Sequence, residues 1–130
     1  MLLYTVGITI ESYIIDSVVM GYHDYEDIWS PIMNEELKTR IEPDNPVDKY
    51  AVAVIDENNE IVGHLMKGLN GKFAKTIFFF LRSNLANTCK VIITGSPVNL
   101  GRKKGMQVPC KLELDGKKQY VEILKIHLTL

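Results

Sequence analysis

The chain has few cysteines and no long apolar run. Its two cysteines, Cys89 and Cys110, both lie in apolar, strand-like sequence. Small secreted domains usually carry several cysteine pairs, so these two thiols are interpreted as reduced core residues, although a disulfide between them stays open. The apolar run IFFFL at positions 77–81 is far shorter than the roughly 20 residues that a membrane-spanning helix needs. We therefore expect no membrane association.

The sequence also lacks the common signatures of catalytic and cofactor sites. No glycine-rich phosphate loop precedes a helix, and no nucleophile elbow is present. The three histidines, His23, His64 and His127, do not have the spacing of zinc ligands, and no cysteine pair accompanies them. We predict no metal, no cofactor and no catalytic residue, and hence a protein that is not an enzyme.

A metal-dependent nuclease is the enzymatic alternative. It depends on the carboxylates Glu42, Asp44 and Asp48, which could approach one another. Two-metal sites need several converging carboxylates held on rigid elements. Here the aspartates lie beside proline turns, where aspartate is common because its side chain bonds its own backbone. A binding protein is therefore favoured over a nuclease.

Length and composition indicate an ordinary folded protein. The chain has 130 residues, of which 46% are hydrophobic and 24% are charged. We expect one domain over residues 1–130, and a monomer. Because no basic leader with a cleavage site follows Met1, we expect an intracellular protein, and a nuclear location stays open.

Acidic residues are missing from one long stretch of the chain. Residues 61–112 contain nine lysines and arginines but no aspartate or glutamate. Residues 1–60 hold 13 acidic and three basic residues, and the net charge of the whole chain is −1. Such asymmetry suggests two faces of opposite potential, of which the basic one could hold a phosphate backbone. The alternative is that the two segments pair with each other in the fold.

Hydrophobic patterning predicts a mainly β (α+β) protein, a small, partly closed, OB-like β-barrel with one or two helices. Strands are expected at residues 13–22, 35–42, 50–55, 60–66, 89–95 and 108–114. A helix is expected at 70–84, and residues 120–128 favour a second helix, with a strand almost as defensible. Turns are expected at 43–46, 58–59 and 115–116, loops at 23–31 and 96–105, and an additional leading strand at 1–10.

The most informative part of the sequence spans residues 40–65. Residues 40–54 read RIEPDNPVDKYAVAV, and residues 61–65 read IVGHL. This order of a basic residue, an acid, Pro, Asn-Pro-X-Asp, an alanine-bearing strand and Gly-His-Leu resembles the HIRAN domain family. Residues 18–23, VVMGYH, look like that family's first strand, and the resemblance covers a domain core at about residues 13–128. The free-standing members are the most similar, notably in GYH at 21–23 and DIW at 27–29. Other members of the family stand at the front of Swi/Snf-type DNA translocases.

The resemblance implies a barrel that binds single-stranded DNA at a free 3′-hydroxyl end, in DNA repair or replication-fork processing. It implies that Asp48 accepts a hydrogen bond from the terminal hydroxyl, and that His64 and Lys67 lie by the phosphates. A carboxylate repels phosphate but accepts from a hydroxyl, so it would select a strand end over a continuing backbone. Lysine and histidine would neutralise the penultimate phosphate.

The sequence departs from the family at the residue before Asp48. Val47 stands where the resemblance implies a base-stacking tyrosine, so Tyr22 or Tyr25 would have to supply the platform. The complete predicted DNA interface is Asp48, His64, Lys67, Tyr22, His23, Tyr25, Val47, Lys49 and Lys72.

Each of these assignments has a structural alternative. Asp48 could only cap the turn after Pro46, His64 could bond the backbone inside the barrel, and Lys67 could be solvated, as could the loop tip Arg102-Lys103-Lys104. Tyr25 and Trp29 could form a satellite core. The rival function is a protein-interaction module, in which the acidic and aromatic loop 23–31 binds a basic partner through Trp29.

Overall fold

A computed structural model describes residues 9–99 and 105–129 of the chain. Its strands are β1 Ile10–Met20, β2 Glu36–Glu42, β3 Ala51–Ile55, β4 Ile61–Leu65, β5 Thr88–Ile93, β6 Val98–Asn99 and β7 Met106–Lys117, and its helices are α1 Lys72–Ser83 and α2 Lys118–Thr129. The loop tip Arg102-Lys103-Lys104 lies outside the described residues, as does most of the leading strand expected at 1–10. In the described part of the chain, no helix is long and apolar enough to cross a membrane.

The seven strands form one antiparallel sheet in the order β1-β4-β3-β2-β5-β7-β6. Strand β7 also pairs with β1, from Ile10 opposite Lys117 to Met20 opposite Gln107. This pairing closes six strands into a barrel, and β6 extends from β7. The predicted mainly β barrel with two helices is confirmed, but the barrel is closed rather than partly closed. Closure leaves few strand edges exposed for pairing with other chains.

The core follows the hydrophobic pattern of the sequence. All five residues of β3, AVAVI, are buried, as the continuous apolar run predicts. In β7, alternate residues from Val108 to Leu114 are buried, because successive side chains of a strand point to opposite faces. Helix α1 buries Ile77 and Phe78. The residues predicted at 120–128 form α2, so the helix is confirmed over the strand.

Both cysteines belong to this core. Cys89 and Cys110 are buried free thiols on neighbouring strands, β5 and β7. Burial is the main cause that raises the pKa of each thiol to about 12. Each therefore stays protonated at neutral pH and behaves as a small apolar side chain.

The prediction of a turn at Asp115-Gly116 is wrong. Strand β7 continues through both residues, with Asp115 opposite Ser12 and Gly116 opposite Glu11 of β1. A Cβ on Gly116 would collide with the side chain of Asn87, whose amide nitrogen donates to the carbonyl of Phe80 at 2.9 Å. Glycine is needed here for close packing rather than for a turn, and pairing with distant strands overrides the local preference.

The interpretation of Trp29 as part of a satellite core or as an exposed anchor is also wrong. Its side chain is only 5% exposed and belongs to the main core. Its indole N–H donates to Glu35 Oε1 at 3.2 Å, and the ring of Tyr22 packs edge-on against it. Residues 22–25 form a short 3-10 turn within the predicted loop. Loop 23–31 therefore uses its tryptophan for folding, and this side chain is not available to a partner.

The Gly63→Ala substitution tests the junction between β1 and β4. A Cβ at Gly63 would lie 2.5 Å from Val19 Cγ1 and 2.9 Å from the backbone oxygen of Met20, so the strands would have to separate. We expect urea denaturation to show a loss of about 1–3 kcal/mol in the free energy of unfolding. Gly95→Ala is the control, because its Cβ would meet only the Pro109 ring at 3.3 Å. Equal stability of Gly63→Ala and the unmodified protein would contradict this packing.

Candidate nucleic-acid interface

A groove of about 500 Å³ opens where β1, β4 and β7 meet the turn between β2 and β3. We call it the Asp48 groove, and the lining residues that matter here are Met20, Asn45, Val47, Asp48, His64, Lys67 and Gln107. Met20 lies opposite His64 of β4 on one side and opposite Gln107 of β7 on the other. The register of the closed barrel therefore assembles one wall of the groove.

Asp48 is fixed in this groove by the turn that carries it. The Asn45 side-chain oxygen accepts from the backbone N–H of Val47 at 2.9 Å and of Asp48 at 3.0 Å. Asp48 Oδ1 in turn accepts from the N–H of Tyr50 at 2.9 Å. Such Asx contacts stabilise irregular backbone, which the prolines of this segment require. One oxygen of Asp48 thus performs the structural role that the sequence left open.

The second oxygen of Asp48 is directed differently. Oδ2 lies 3.8 Å from Lys67 Nζ, and the Asp48 side chain is 21% exposed. The carboxylate is therefore neither sealed in the core nor fully solvated. An ionised carboxylate only accepts hydrogen bonds, so Oδ2 can accept one from a hydroxyl group of a ligand in the groove.

His64 is held by a carboxylate rather than by the backbone. Its Nε2 lies 2.6 Å from Glu42 Oε1, and Asn45 Nδ2 donates to the same oxygen at 3.3 Å. Because the carboxylate accepts, the bond requires the proton on Nε2. Glu42 was expected as the acid of the motif and in the nuclease alternative, and Asn45 as a residue of the turn at 43–46, but neither the link from Glu42 to His64 nor the support of Asp48 by Asn45 was predicted. The spacing of Asn45 before Val47 and Asp48, typical of an Asx turn, was the signal that could have found it.

Of the other residues predicted to bind DNA, Val47 lines this groove and is 87% exposed at its rim. The remaining ones do not line it: Tyr22, His23, Tyr25, Lys49 and Lys72. Tyr22 packs on Trp29, and the exposed His23 lies 3.9 Å from Glu26. Lys49 Nζ lies 5.3 Å from the centre of the Tyr50 ring, and Lys72 lines a second groove, between α1 and α2.

Tyr25 lies within electrostatic range of the groove. Burial, followed by the charges of Asp24 and Glu42, raises the pKa of its hydroxyl above the usual value. Tyr25 does not line the Asp48 groove, so its role as the aromatic platform stays a prediction.

Few of the described basic residues in the acid-free segment 61–112 lie at the Asp48 groove. Lys67 is the one lysine or arginine among the described residues that line the Asp48 groove. Lys90, from the same acid-free segment, lies 3.4 Å from Glu36 and 3.6 Å from Glu113, and these carboxylates raise its pKa. Part of the segment thus pairs with acidic residues, as the alternative proposed. Across residues 9–99 and 105–129, no cluster of three His, Cys, Asp or Glu side chains could hold a metal ion.

Solved structures with the same architecture identify the fold. The crystal structure of the HIRAN domain of human HLTF is 20% identical in sequence, with a TM-score of 0.69 over 97% of this chain and 93% of that chain. The chain has the HIRAN fold. An NMR structure of the HLTF HIRAN domain in its DNA-bound conformation is also 20% identical, with a TM-score of 0.60 over 89% of this chain and 85% of that chain.

This chain is also similar to a protein from Lactobacillus plantarum whose crystal structure has been solved. The two are 15% identical in sequence, with a TM-score of 0.55 over 83% of this chain and 99% of that chain. No family model matches the sequence, and no curated protein matches it significantly. The HIRAN fold predicted from residues 40–65 is therefore confirmed by structure, at sequence identities too low for a sequence match.

The Asn45→Ala substitution tests whether Asn45 holds Asp48 in place. It removes the acceptor of two backbone N–H groups, so we expect a loss of about 1 kcal/mol in stability and faster hydrogen exchange at the amides of Val47 and Asp48. Asn84→Ala is the matched control, because its side chain accepts from the N–H of Ala86 outside the groove. Unchanged exchange at both amides in Asn45→Ala would contradict this role.

Proposed function

We propose that this protein is a nucleic-acid-binding module without catalytic activity, and that its Asp48 groove takes the free 3′-hydroxyl end of single-stranded DNA. One observation carries the proposal: the partly exposed Asp48 side chain lines the groove, with its Oδ2 oxygen 3.8 Å from Lys67 Nζ. The fold supports it, because the similar HLTF HIRAN domain has been solved in a DNA-bound conformation. The corresponding process is DNA repair or replication-fork processing.

The groove would distinguish a terminal hydroxyl from a phosphate group by charge. A terminal hydroxyl can donate to Asp48 Oδ2, whereas a terminal or internal phosphate in the same place would set two negative charges together. At about 4 Å, such a pair costs roughly 1 kcal/mol in water and up to about 4 kcal/mol near a protein surface. Lys67 Nζ lies beside this oxygen, at 3.8 Å, and from there it can attract the penultimate phosphate. The groove would therefore favour the end of a chain over its middle.

Base contacts are expected to be weaker than in a groove with a stacking ring at its rim. Stacking on an aromatic side chain is worth about 1–3 kcal/mol per base. Val47, exposed at the rim, offers an apolar surface without a ring, and Met20 and Met66 add flexible apolar contacts from the groove wall. Tyr25, the predicted aromatic platform, does not line the groove. We expect modest affinity, with selectivity supplied mainly by Asp48.

The decisive test compares two oligonucleotides of one sequence, one with a free 3′-hydroxyl and one with a 3′-phosphate. Fluorescence polarisation should show at least about tenfold tighter binding of the hydroxyl form, equivalent to about 1.4 kcal/mol. Asp48→Asn keeps an acceptor for the Tyr50 N–H but removes the charge, so it should erase most of this preference. Equal affinities for the two oligonucleotides would rule out end recognition, and no binding to either would rule out the nucleic-acid function.

Controls separate the role of Lys67 from general electrostatics. Lys67→Ala should weaken the binding of both oligonucleotides and reduce the slope of log affinity against log salt concentration by about 0.7. Lys118→Ala removes a lysine from a separate cleft and should leave the slope unchanged. The labelled oligonucleotide should also stay intact during incubation with magnesium. Cleavage that disappears in Asp48→Asn would support the nuclease alternative instead.

A further inference from the structure

A second groove, of about 480 Å³, lies between α1 and α2 and plays no part in the proposed nucleic-acid site. Its apolar surface comes from Phe79 and Phe80 of α1 and from Tyr120, Ile123 and Leu124 of α2. Ile123 is 54% exposed and Phe79 is 41% exposed. Single exposed apolar residues are common, but a continuous apolar groove with a polar rim is typical of an interaction site.

The hydrogen-bonding groups of this groove are largely used within the helices. The hydroxyls of Thr76 and Ser83 donate to carbonyl groups one turn back in α1. His127 Nδ1 lies 2.9 Å from the carbonyl of Ile123. Few polar groups remain to satisfy a base edge or a sugar, so the groove favours an occupant that presents apolar side chains.

The rim of the groove is basic. Lys72 and Lys75 line it from α1, and neither Asp nor Glu is among the described residues that line it. The acid of α2, Glu122, lines a different cleft with Thr9 and Lys118, and it lies 3.9 Å from Lys125. A partner that places carboxylates next to its apolar side chains would therefore be complementary in charge.

We propose that this groove, the α1–α2 groove, binds an acidic amphipathic helix of a partner protein. Each bounding helix has 12 residues and is thus about 18 Å long, which matches about three turns of a docked helix. Apolar side chains at positions i, i+4 and i+7 of the partner would fill the space over Phe79 and Ile123. Its carboxylates would face Lys72 and Lys75.

The experiment uses the full chain and a fluorescent synthetic helical peptide of about 14 residues. The peptide has leucine or phenylalanine at i, i+4 and i+7 and glutamate on its flanks. Two control peptides keep its length: one scrambles the apolar positions, and one replaces glutamate with lysine. We expect saturable binding of the acidic amphipathic peptide with one site per chain, and at least tenfold weaker binding of both controls.

Matched variants assign the binding to the groove. Ile123→Asp should weaken binding at least tenfold, whereas Ile126→Asp should not, since Ile126 is 59% exposed on the same helix but does not line the groove. Lys75→Glu should weaken binding, and Lys118→Glu, in the separate cleft, should not. Thermal melting of each variant confirms that it is folded.

Several outcomes would overturn the proposal. These are no saturable binding, equal binding of the scrambled or lysine peptide, equal losses in Ile123→Asp and Ile126→Asp, and displacement of the peptide by a single-stranded oligonucleotide. Sedimentation that shows a dimer abolished by Ile123→Asp would instead assign the groove to a second copy of the chain.

Discussion

Strand β1 pairs with two partners at once, and the rest of the molecule depends on this double pairing. Along its whole length β1 pairs with β7, and at its end Val19 and Met20 also pair with β4. Val19 is completely buried at this junction, and Gly63 gives it the space that a side chain would fill. The pairing closes the barrel, so segments far apart in the chain lie side by side. Without it, β4 would be connected to β7 only around the sheet, through β3, β2 and β5.

The Asp48 groove is a direct product of that closure. Its wall of Met20, His64 and Gln107 comes from three strands brought into register, and the turn with Asp48 stands against them. A short chain of side-chain hydrogen bonds then links the parts: Glu42 holds His64 and Asn45, and Asn45 holds the backbone of Asp48. Rigid placement matters because a single carboxylate can select a strand end only if its Oδ2 oxygen is held towards the ligand.

Elements with a strong local pattern could be predicted from the sequence, whereas features built by distant contacts could not. The apolar run of β3, the alternation of β7 and the stripe of α1 each specify a strand or a helix from neighbouring residues alone. The prediction of a turn at Asp115-Gly116 was wrong, because two neighbouring strands hold this segment extended despite its turn preference. The resemblance to the HIRAN family singled out Asp48, His64 and Lys67, which line one groove, and their roles in binding stay a prediction. Burial of Trp29 and the α1–α2 groove depend on tertiary packing, which periodicity does not encode.

The carboxyl carbon of Asp48 would report whether Oδ2 accepts a hydrogen bond from the terminal hydroxyl of a bound strand. Carbon-detected NMR on labelled protein would follow this resonance during titration with matched oligonucleotides. We expect a saturable shift of the Asp48 carboxyl signal with the 3′-hydroxyl strand and little change with the 3′-phosphate strand. An unmoved Asp48 signal while the oligonucleotide saturates another surface, such as the α1–α2 groove, would contradict it.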